Sequence, residues 1–490
     1  MHWWQVYRTP WDLEQRSVHS VVLLSSEKIE KIDSAGRHIL ERVGLRIRNQ
    51  TALTRLKAAG ANVDLADQRV RFDGEWLDEM LGKAPSRFVL YSRDGSNDLN
   101  LGAGHVYFGN GGRVFRVLDM GTGGYRATLL RDVVHTAYLV NALENIRFYI
   151  IACQAHDVPP PSYHLNDFFH AFNNTSKHVM GGCDNVEGVR QMWHLASFIA
   201  GGEDQLRTRP FVSVITNPIS PLTLDSTTLE ILEFCVAQGI PVTCAPAPIA
   251  GATAPATLAG TLAQMHAESL AGVAISQVFC PGARVMYGAV PTAMDLRTMD
   301  LTMGSVETAM MNTCAVQLAK VYGLPIYASA GVTDAKIPDI QSGFEKGVSS
   351  LLVGMAGADY VHLAAGILDS GNSISYEQFI IDNEILGMVH RILDGINVDE
   401  DTLAVECVKK VGPGGNYVME DHTVQQMFHE FFYPTLTVRM NFDLWEDRGK
   451  PTPLTSANEL VQKYREDHQA VLDPEQVIEI KNRFPGIVNP

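Results

Sequence analysis

The sequence predicts an α/β fold, a (β/α)₈ TIM barrel with a helical N-terminal cap and a C-terminal extension. Three observations carry that expectation. Eight short apolar runs bounded by Gly and Pro recur after residue 105 at a mean spacing of about 35 residues, the repeat a barrel needs. The gap after each run holds a segment of helical period. No GxGxxG follows a strand, which argues against the open doubly wound alternative.

The elements follow in order. Ser25 or Ser26 caps a helix with Ile29, Ile32, Ile39, Leu40 and Val43 on one stripe, and Gly44 sits at its C-terminal stop. A second helix around Thr51–Ala59 ends at Gly60, residues 67–72 alternate as a strand, and residues 76–84 form a further short helix. The expected barrel strands are 105–109, 147–152, 178–182, 211–216, 240–245, 284–289, 325–330 and 360–365. Helices are expected near 130–144, 164–176, 186–200, 224–238, 255–272, 304–322, 337–354 and 375–395. In the fifth of these, Leu258–Val273 is rich in Ala and Gly, as suits a helix packed closely on its strand. A glycine loop at 412–416 and charged helices follow. The expected division is a cap over 1–104, a barrel over 105–398 and a C-terminal cap over 399–490. The 490 residues therefore hold one large domain with extensions, where length alone suggests three domains.

Composition narrows the function classes. With 46% hydrophobic and 19% charged residues, the chain has a large core and a modest surface. A net charge of −16 repels phosphate backbones, so no nucleic-acid partner is expected. No apolar run spans a bilayer, and residues 1–17 carry charges and a proline where a secretory leader needs an apolar stretch, so a cytoplasmic protein is expected. Seven scattered cysteines without a CxxC read as buried thiols, neither a disulfide framework nor a zinc site.

In a TIM barrel the chemistry lies in the loops after the strands. Those positions offer Tyr107, Phe108 and Asn110, then Gln154, His156 and Asp157, then Asn217 between prolines. After the fifth strand, residues 244–260 hold no ionisable group except Cys244 and lack the lysine and glycine spacing of a phosphate cradle. They make a smooth, dry wall for a large flat ligand. Arg297 and Glu307 follow the sixth strand, Asp334 the seventh, and His362 lies within the eighth. His156, Cys183 and His362 could converge in space, but no HxH, HExxH or tight His/Asp cluster occurs, and no nucleophile elbow is present. No tightly bound metal is expected.

Several of these segments together resemble the trimethylamine methyltransferase superfamily. They are Ala-Pro-Ala-Pro-Ile-Ala-Gly-Ala-Thr-Ala-Pro (245–255), Gly-Ser-Val-Glu (304–307), Asp-Ala-Lys-Ile-Pro-Asp-Ile-Gln-Ser-Gly-Phe-Glu (334–345), Ile-Leu-Glu-Arg-Val-Gly-Leu-Arg (39–46) and Gly-Pro-Gly-Gly-Asn-Tyr (412–417). The likeness covers roughly residues 25–465. It departs at Val306, where the family usually has Pro. The resemblance implies a barrel that hands a methyl group from an amine to the cobalt of a corrinoid carried by a partner protein, and it implies a homo-oligomer. The chain contains no pyrrolysine, so it resembles the branch that demethylates quaternary amines such as glycine betaine. The open alternatives are the same reaction on proline betaine, carnitine, a methylated amine or a sulfonium, and a barrel that binds quaternary amines without turnover.

For that chemistry the expected roles are as follows. Tyr107, Phe108 and Tyr327 are aromatic faces for the N-methyl cation. Arg297 and His362 receive a carboxylate tail, and Glu307 is the catalytic candidate, in electrostatic contact with the ammonium. Asn217, Gly251, Thr253 and Asp334 line the corrinoid side.

Overall fold

Eight apolar runs too short to cover themselves can be buried on both faces only if they pair with one another and helices cover the outside. In the computed structural model, which describes residues 21–119 and 121–490, they do so. The strands are β1 (Tyr107–Asn110), β2 (Tyr149–Ile150), β3 (Val179–Gly181), β4 (Val212–Thr216), β5 (Val242–Cys244), β6 (Val285–Gly288), β7 (Ile326–Ser329) and β8 (Tyr360–Ala365). They form an eight-stranded sheet in which β8 pairs with β1 and each strand from β2 to β7 pairs with its successor, all in parallel. A parallel bridge between Gly109 and Phe148 links β1 to β2 and brings the ring round. The protein is a TIM barrel, and its strands fall on the eight expected runs.

Each strand is followed by a helix: α1 (Leu130–Ala142), α2 (Tyr163–Asn174), α3 (Val186–Ala200), α4 (Ser226–Ala237), α5 (Leu258–Phe279), α6 (Val306–Val321), α7 (Ile340–Ala356) and α8 (Tyr376–Leu393). Helix α5 runs to Phe279, seven residues past the expected end at 272. The reason is burial on nearly every side: with Thr261–Gln277 buried throughout, the helix has no polar face whose loss would mark an end. Two antiparallel hairpins were not legible in the sequence, Arg116–Asp119 with Gly124–Ala127 after β1 and Thr292–Asp295 with Asp300–Thr302 after β6. Both are short, polar and set on the rim, where alternation carries little signal.

The N-terminal cap packs across α5. Its first helix, Ser26–His38, is capped by Ser25, whose side chain accepts from the Lys28 N–H. It continues into a wider turn over Ile39–Val43 and stops at Gly44, whose φ of 73° suits glycine. An added Cβ there would meet the Val70 carbonyl oxygen at 2.2 Å. Gly36 lies against His266 of α5, and His266 bonds Asp33 of the cap at 2.9 Å and Tyr287 of β6 at 2.7 Å. Cap, helix and strand are thus tied by one buried polar chain. The expected strand at 67–72 is Arg69–Arg71, paired with Leu45–Ile47 and Asn62–Asp64. A hairpin of Phe88–Leu90 and Leu99–Leu101 packs with the aromatic interior of the barrel.

All seven cysteines are free, with Cys153, Cys235, Cys244 and Cys314 buried. No helix among the described residues is long and apolar enough to cross a membrane. The N-terminal residues read above for a leader lie outside the described residues.

Candidate active site at the mouth of the barrel

Strand alternation decides what faces the barrel axis. Tyr107, Phe148, Ile150, Met180, Met286, Tyr327 and Tyr360 form one interior cluster, with the Phe148 and Tyr360 rings stacked at 3.6 Å. One step nearer the C-terminal ends, the same alternation brings Gly182, Ala245, Gly288, Ser329 and His362 inward. The inward layer above the aromatic plug is therefore made of small residues with one polar pair. Ser329 Oγ lies 2.5 Å from His362 Nε2, and Tyr327 stacks on the imidazole with ring centroids 4.1 Å apart. Burial pushes His362 down to about 3, so the ring is neutral near neutral pH. The Ser329 N–H donates to Asn312 Oδ1 of α6, which holds the serine in place from behind.

Immediately after His362 the register of β8 against β1 breaks, and Leu363 takes φ 66°. A leucine in that region is strained, by about 1–3 kcal/mol. Gly111 makes it possible, since an added Cβ would lie 2.0 Å from Leu363 Cδ2. Bulges beside active sites re-aim side chains, and this one follows the one inward histidine of the layer.

Around the mouth, the loops after β6, β7 and β8 are locked to one another by half-buried and buried polar groups. Asp334 accepts from the Gly304 N–H at 3.0 Å and the Ser370 hydroxyl at 2.7 Å. Glu345 of α7 accepts from Thr333 Oγ1 and from the Asp334 N–H at 2.9 Å. Lys346 pairs with Asp382 at 2.9 Å and donates to the Gly331 carbonyl at 2.6 Å, while Asp382 accepts from the Gly366 N–H at 2.7 Å. The hairpin after β1 leans over to the β7 loop, where the Tyr125 hydroxyl donates to the Lys336 carbonyl. Its base holds an open cleft of about 420 Å³ lined by Phe115, Arg116, Tyr125, Arg126, Ala127 and His156. Arg126 is committed to Asp132 through two 2.8 Å bonds.

The candidates read from sequence separate into four placements. Tyr327 and His362 meet inside the barrel. Tyr107 is buried at the start of β1, its hydroxyl accepting from the Asn100 N–H of the Phe88–Leu101 hairpin. Phe108 faces outward, its ring edge-on to His390 of α8. The remaining candidates lie on the rim. Arg297 is 88% exposed and bonds Asp295 at 2.6 Å. Glu307 stands exposed in the first turn of α6, and Asn217 is exposed after β4. Gly251, with φ 90°, turns beneath Leu296, and Thr253 accepts from the Ile249 N–H to close that turn. His156 lines the rim cleft, away from His362, and among the described residues no three His, Cys, Asp or Glu side chains gather as a metal site. Val306 occupies the first helical position after the Ser305 cap, where Pro would also fit because its N–H has no partner to lose.

Sequence reading missed Ser329, Glu345 and the Lys346–Asp382 pair. Glu345 and Ser329 do lie inside segments already singled out, 334–345 and 325–330. The buried lysine had no such signal, because its partner lies 36 residues away.

The rim also carries exposed apolar side chains from four loops: Phe115 after β1, Ile219 after β4, Leu296 and Met299 after β6, and Ile337 and Ile340 after β7. The small-residue interior mouth thus lies inside an apolar collar. The comparisons make the class specific. The family model described as trimethylamine methyltransferase (MTTB) matches residues 5–484, and the chain belongs to that family. It is 35% identical over 403 residues to a trimethylamine methyltransferase MttB of Desulfitobacterium hafniense, covering 82% of this chain and 81% of that one. It is 32% identical over 426 residues to a glycine betaine methyltransferase of the same species, covering 86% and 88%. Among solved structures, the monomethylamine methyltransferase MtmB of Methanosarcina barkeri aligns over 93% of this chain and 97% of its own, with a TM-score of 0.51 and 12% identity, a likeness of fold. The protein is a methyltransferase.

Proposed function

We propose that the protein moves a methyl group from a quaternary amine, glycine betaine or a close analogue, to the Co(I) of a corrinoid held by a partner protein, leaving a tertiary amine such as dimethylglycine. The observation that carries this reading is the neutral His362–Ser329 pair inside an otherwise small and apolar mouth. A quaternary donor suits such a site. Its carbon–nitrogen bond breaks with the electron pair left on nitrogen, the leaving group is already neutral, and no acid is needed. The corrinoid supplies the electron pair for the new bond, and the barrel positions the donor.

In this reading Tyr327, His362 and Ser329 form the floor on which the donor rests. Glu307 and the other rim carboxylates attract the cationic head, and Arg297 is within the rim to meet a carboxylate tail before entry. Asn217, the Gly251–Thr253 turn and Asp334 belong to the surface offered to the corrinoid partner, and the apolar collar supports docking there. Kinship with a glycine betaine methyltransferase and the absence of pyrrolysine support the quaternary donor.

The test is incubation of the full chain with a Co(I) corrinoid and a panel of quaternary amines while the cobalt spectrum is followed. Methylation with glycine betaine is expected. Methylation only with proline betaine or carnitine would move the substrate assignment, and binding without any spectral change would overturn the transfer reading.

A further inference from the structure

The cleft at the base of the β1 hairpin continues into a second hollow bounded by Asp369 and Asn372. The first has about 420 Å³, the second about 340 Å³, and Phe115 and Arg116 line both. Hollows of this size hold small molecules.

The walls are preformed. Tyr125 is held at its hydroxyl by the Lys336 carbonyl, and Arg126 by both oxygens of Asp132 at 2.8 Å. His156 places Nδ1 3.1 Å from the Thr128 carbonyl oxygen; a carbonyl only accepts, so Nδ1 carries the proton. The Phe115 N–H donates to the Asn372 carbonyl at 3.4 Å, and its own carbonyl accepts from the Thr128 N–H at 3.2 Å. The Phe115 ring stands edge-on to His156 and is 52% exposed. Arg116 is the exception to this anchoring. Among the described residues its guanidinium makes no hydrogen bond and no ion pair. The nearby carboxylates are already matched, Asp132 by Arg126 and Asp369 by Lys336 at 2.6 Å.

An uncommitted guanidinium beside two aromatic rings fits one ligand chemistry. The arginine fork takes a carboxylate through two parallel N–H bonds. Phe115 and Tyr125 offer faces to an N-methyl cation. A phosphate suits the cleft less well, because its charge of up to −2 would meet one free cation with Asp132 and Asp369 close by. Arg297 is a poorer holder of the tail, since its Nε and Nη2 already bond Asp295 at 3.0 and 2.6 Å. We infer that the cleft is a rim site for a carboxylated quaternary ammonium zwitterion, with Arg116 on the carboxylate and Phe115 and Tyr125 against the methyl groups. The ligand class rests on the quaternary-donor reading. The site itself is separate from the Ser329–His362 pair, which strands β7 and β8 carry. It gathers tailed donors at the entrance and favours them over donors without a carboxylate.

Calorimetric binding to the full chain tests this in a His362→Ala background, where the inner floor is disabled. The ligands are glycine betaine, proline betaine and carnitine, with choline as the quaternary ammonium that lacks a carboxylate. At least one carboxylated ligand is expected to bind about tenfold or more tightly than choline. Adding Arg116→Ala is expected to remove that preference, weakening the carboxylated ligand about tenfold or more and leaving choline unchanged. Arg116→Lys keeps the charge without the fork and should fall between. Arg297→Ala should change neither. The inference is overturned if His362→Ala binds no carboxylated ligand, if Arg116→Ala leaves its affinity unchanged, if choline weakens equally, or if Arg297→Ala costs more than Arg116→Ala. Should His362→Ala misfold, the same comparison of Arg116→Ala with the wild-type chain decides, and equal affinities reject the site. The cobalt spectrum is read separately: no methylation with any donor rejects the transfer reading, whereas Arg116-dependent binding alone decides the cleft.

Discussion

His362 Nε2 and Ser329 Oγ approach to 2.5 Å across adjacent strands, at the level where the barrel interior changes from aromatic to small residues. Neither residue could place the other alone. The serine is fixed by Asn312 from α6, and the imidazole by the Tyr327 ring beneath it. The pair is therefore rigid, and rigidity is what positioning requires. We expect His362→Ala to lower kcat/KM for the methyl donor by on the order of 10²-fold, the cost of misplacing a reactant. Ser329→Ala should lower it less. Because His362 is held near 3, the rate profile should show no inflection near 6.5 that disappears in His362→Asn. Steady-state methyl transfer from pH 5 to 8 checks both, and such an inflection would remove the neutral-imidazole reading.

Buried histidines also set the acid limit of the fold. Burial lowers His164, His178 and His362 to about 3 and His135, His170 and His390 to about 4. Each folded value lies below the usual value near 6.5, so the unfolded chain binds more protons between those limits. Stability is then complete above about 6.5 and falls as pH drops towards 4, by about 1.4 kcal/mol per pH unit for each histidine fully engaged. Urea midpoints at pH 7.5, 6 and 5 should fall in that order. Equal midpoints would show that these rings are protonated in the fold.

The Lys346–Asp382 pair yields a different contrast. Lys346 holds the carbonyl of Gly331 after β7, and Asp382 holds the N–H of Gly366 after β8. Lys346→Met leaves a buried carboxylate without its cation and should cost about 3–5 kcal/mol, whereas Lys346→Met with Asp382→Leu should recover most of that loss. If the two loops matter to the mouth, the double variant should still transfer methyl groups more slowly than wild type despite its recovered stability. Denaturant titration and donor kinetics on the same preparations separate the two effects.

How far the sequence could be read follows from the same physics. Eight strands were visible because a strand covered on both faces is an uninterrupted apolar run between turn residues, as in Phe-Val-Ser-Val-Ile-Thr at 211–216. Tyr327 and His362 stood out as candidates because the strand ends of a barrel are where chemistry sits. Sequence could not tell that Phe108 faces α8 while Tyr107 faces inward, since adjacent aromatics give no phase by themselves. Nor could it show the β8 bulge, which depends on Gly111 lying opposite Leu363. The Lys346–Asp382 pair was hidden for a related reason: a charged residue on a helix reads as surface until its partner is known.

Glu384 supplies the last expectation. Its carboxylate accepts from the N–H groups of Thr435, Leu436 and Thr437 at 2.6, 2.8 and 2.6 Å and from the hydroxyls of Thr435 and Thr437 at 2.9 and 2.5 Å. Burial by itself would raise its pKa, but these bonds outweigh burial and hold it below the ordinary glutamate range. With the folded value depressed, the contribution is present above the usual value near 4.3 and is lost as pH falls through the folded one. Glu384→Ala removes the acceptor from three backbone donors at once and should destabilise the C-terminal segment by about 2–4 kcal/mol, while Glu384→Gln keeps one acceptor oxygen and should cost less. Protease cleavage within 430–440 should rise in the same order, Ala above Gln above wild type. Cleavage that does not change would mean that packing of Leu436, and not the carboxylate, fastens this segment to the barrel.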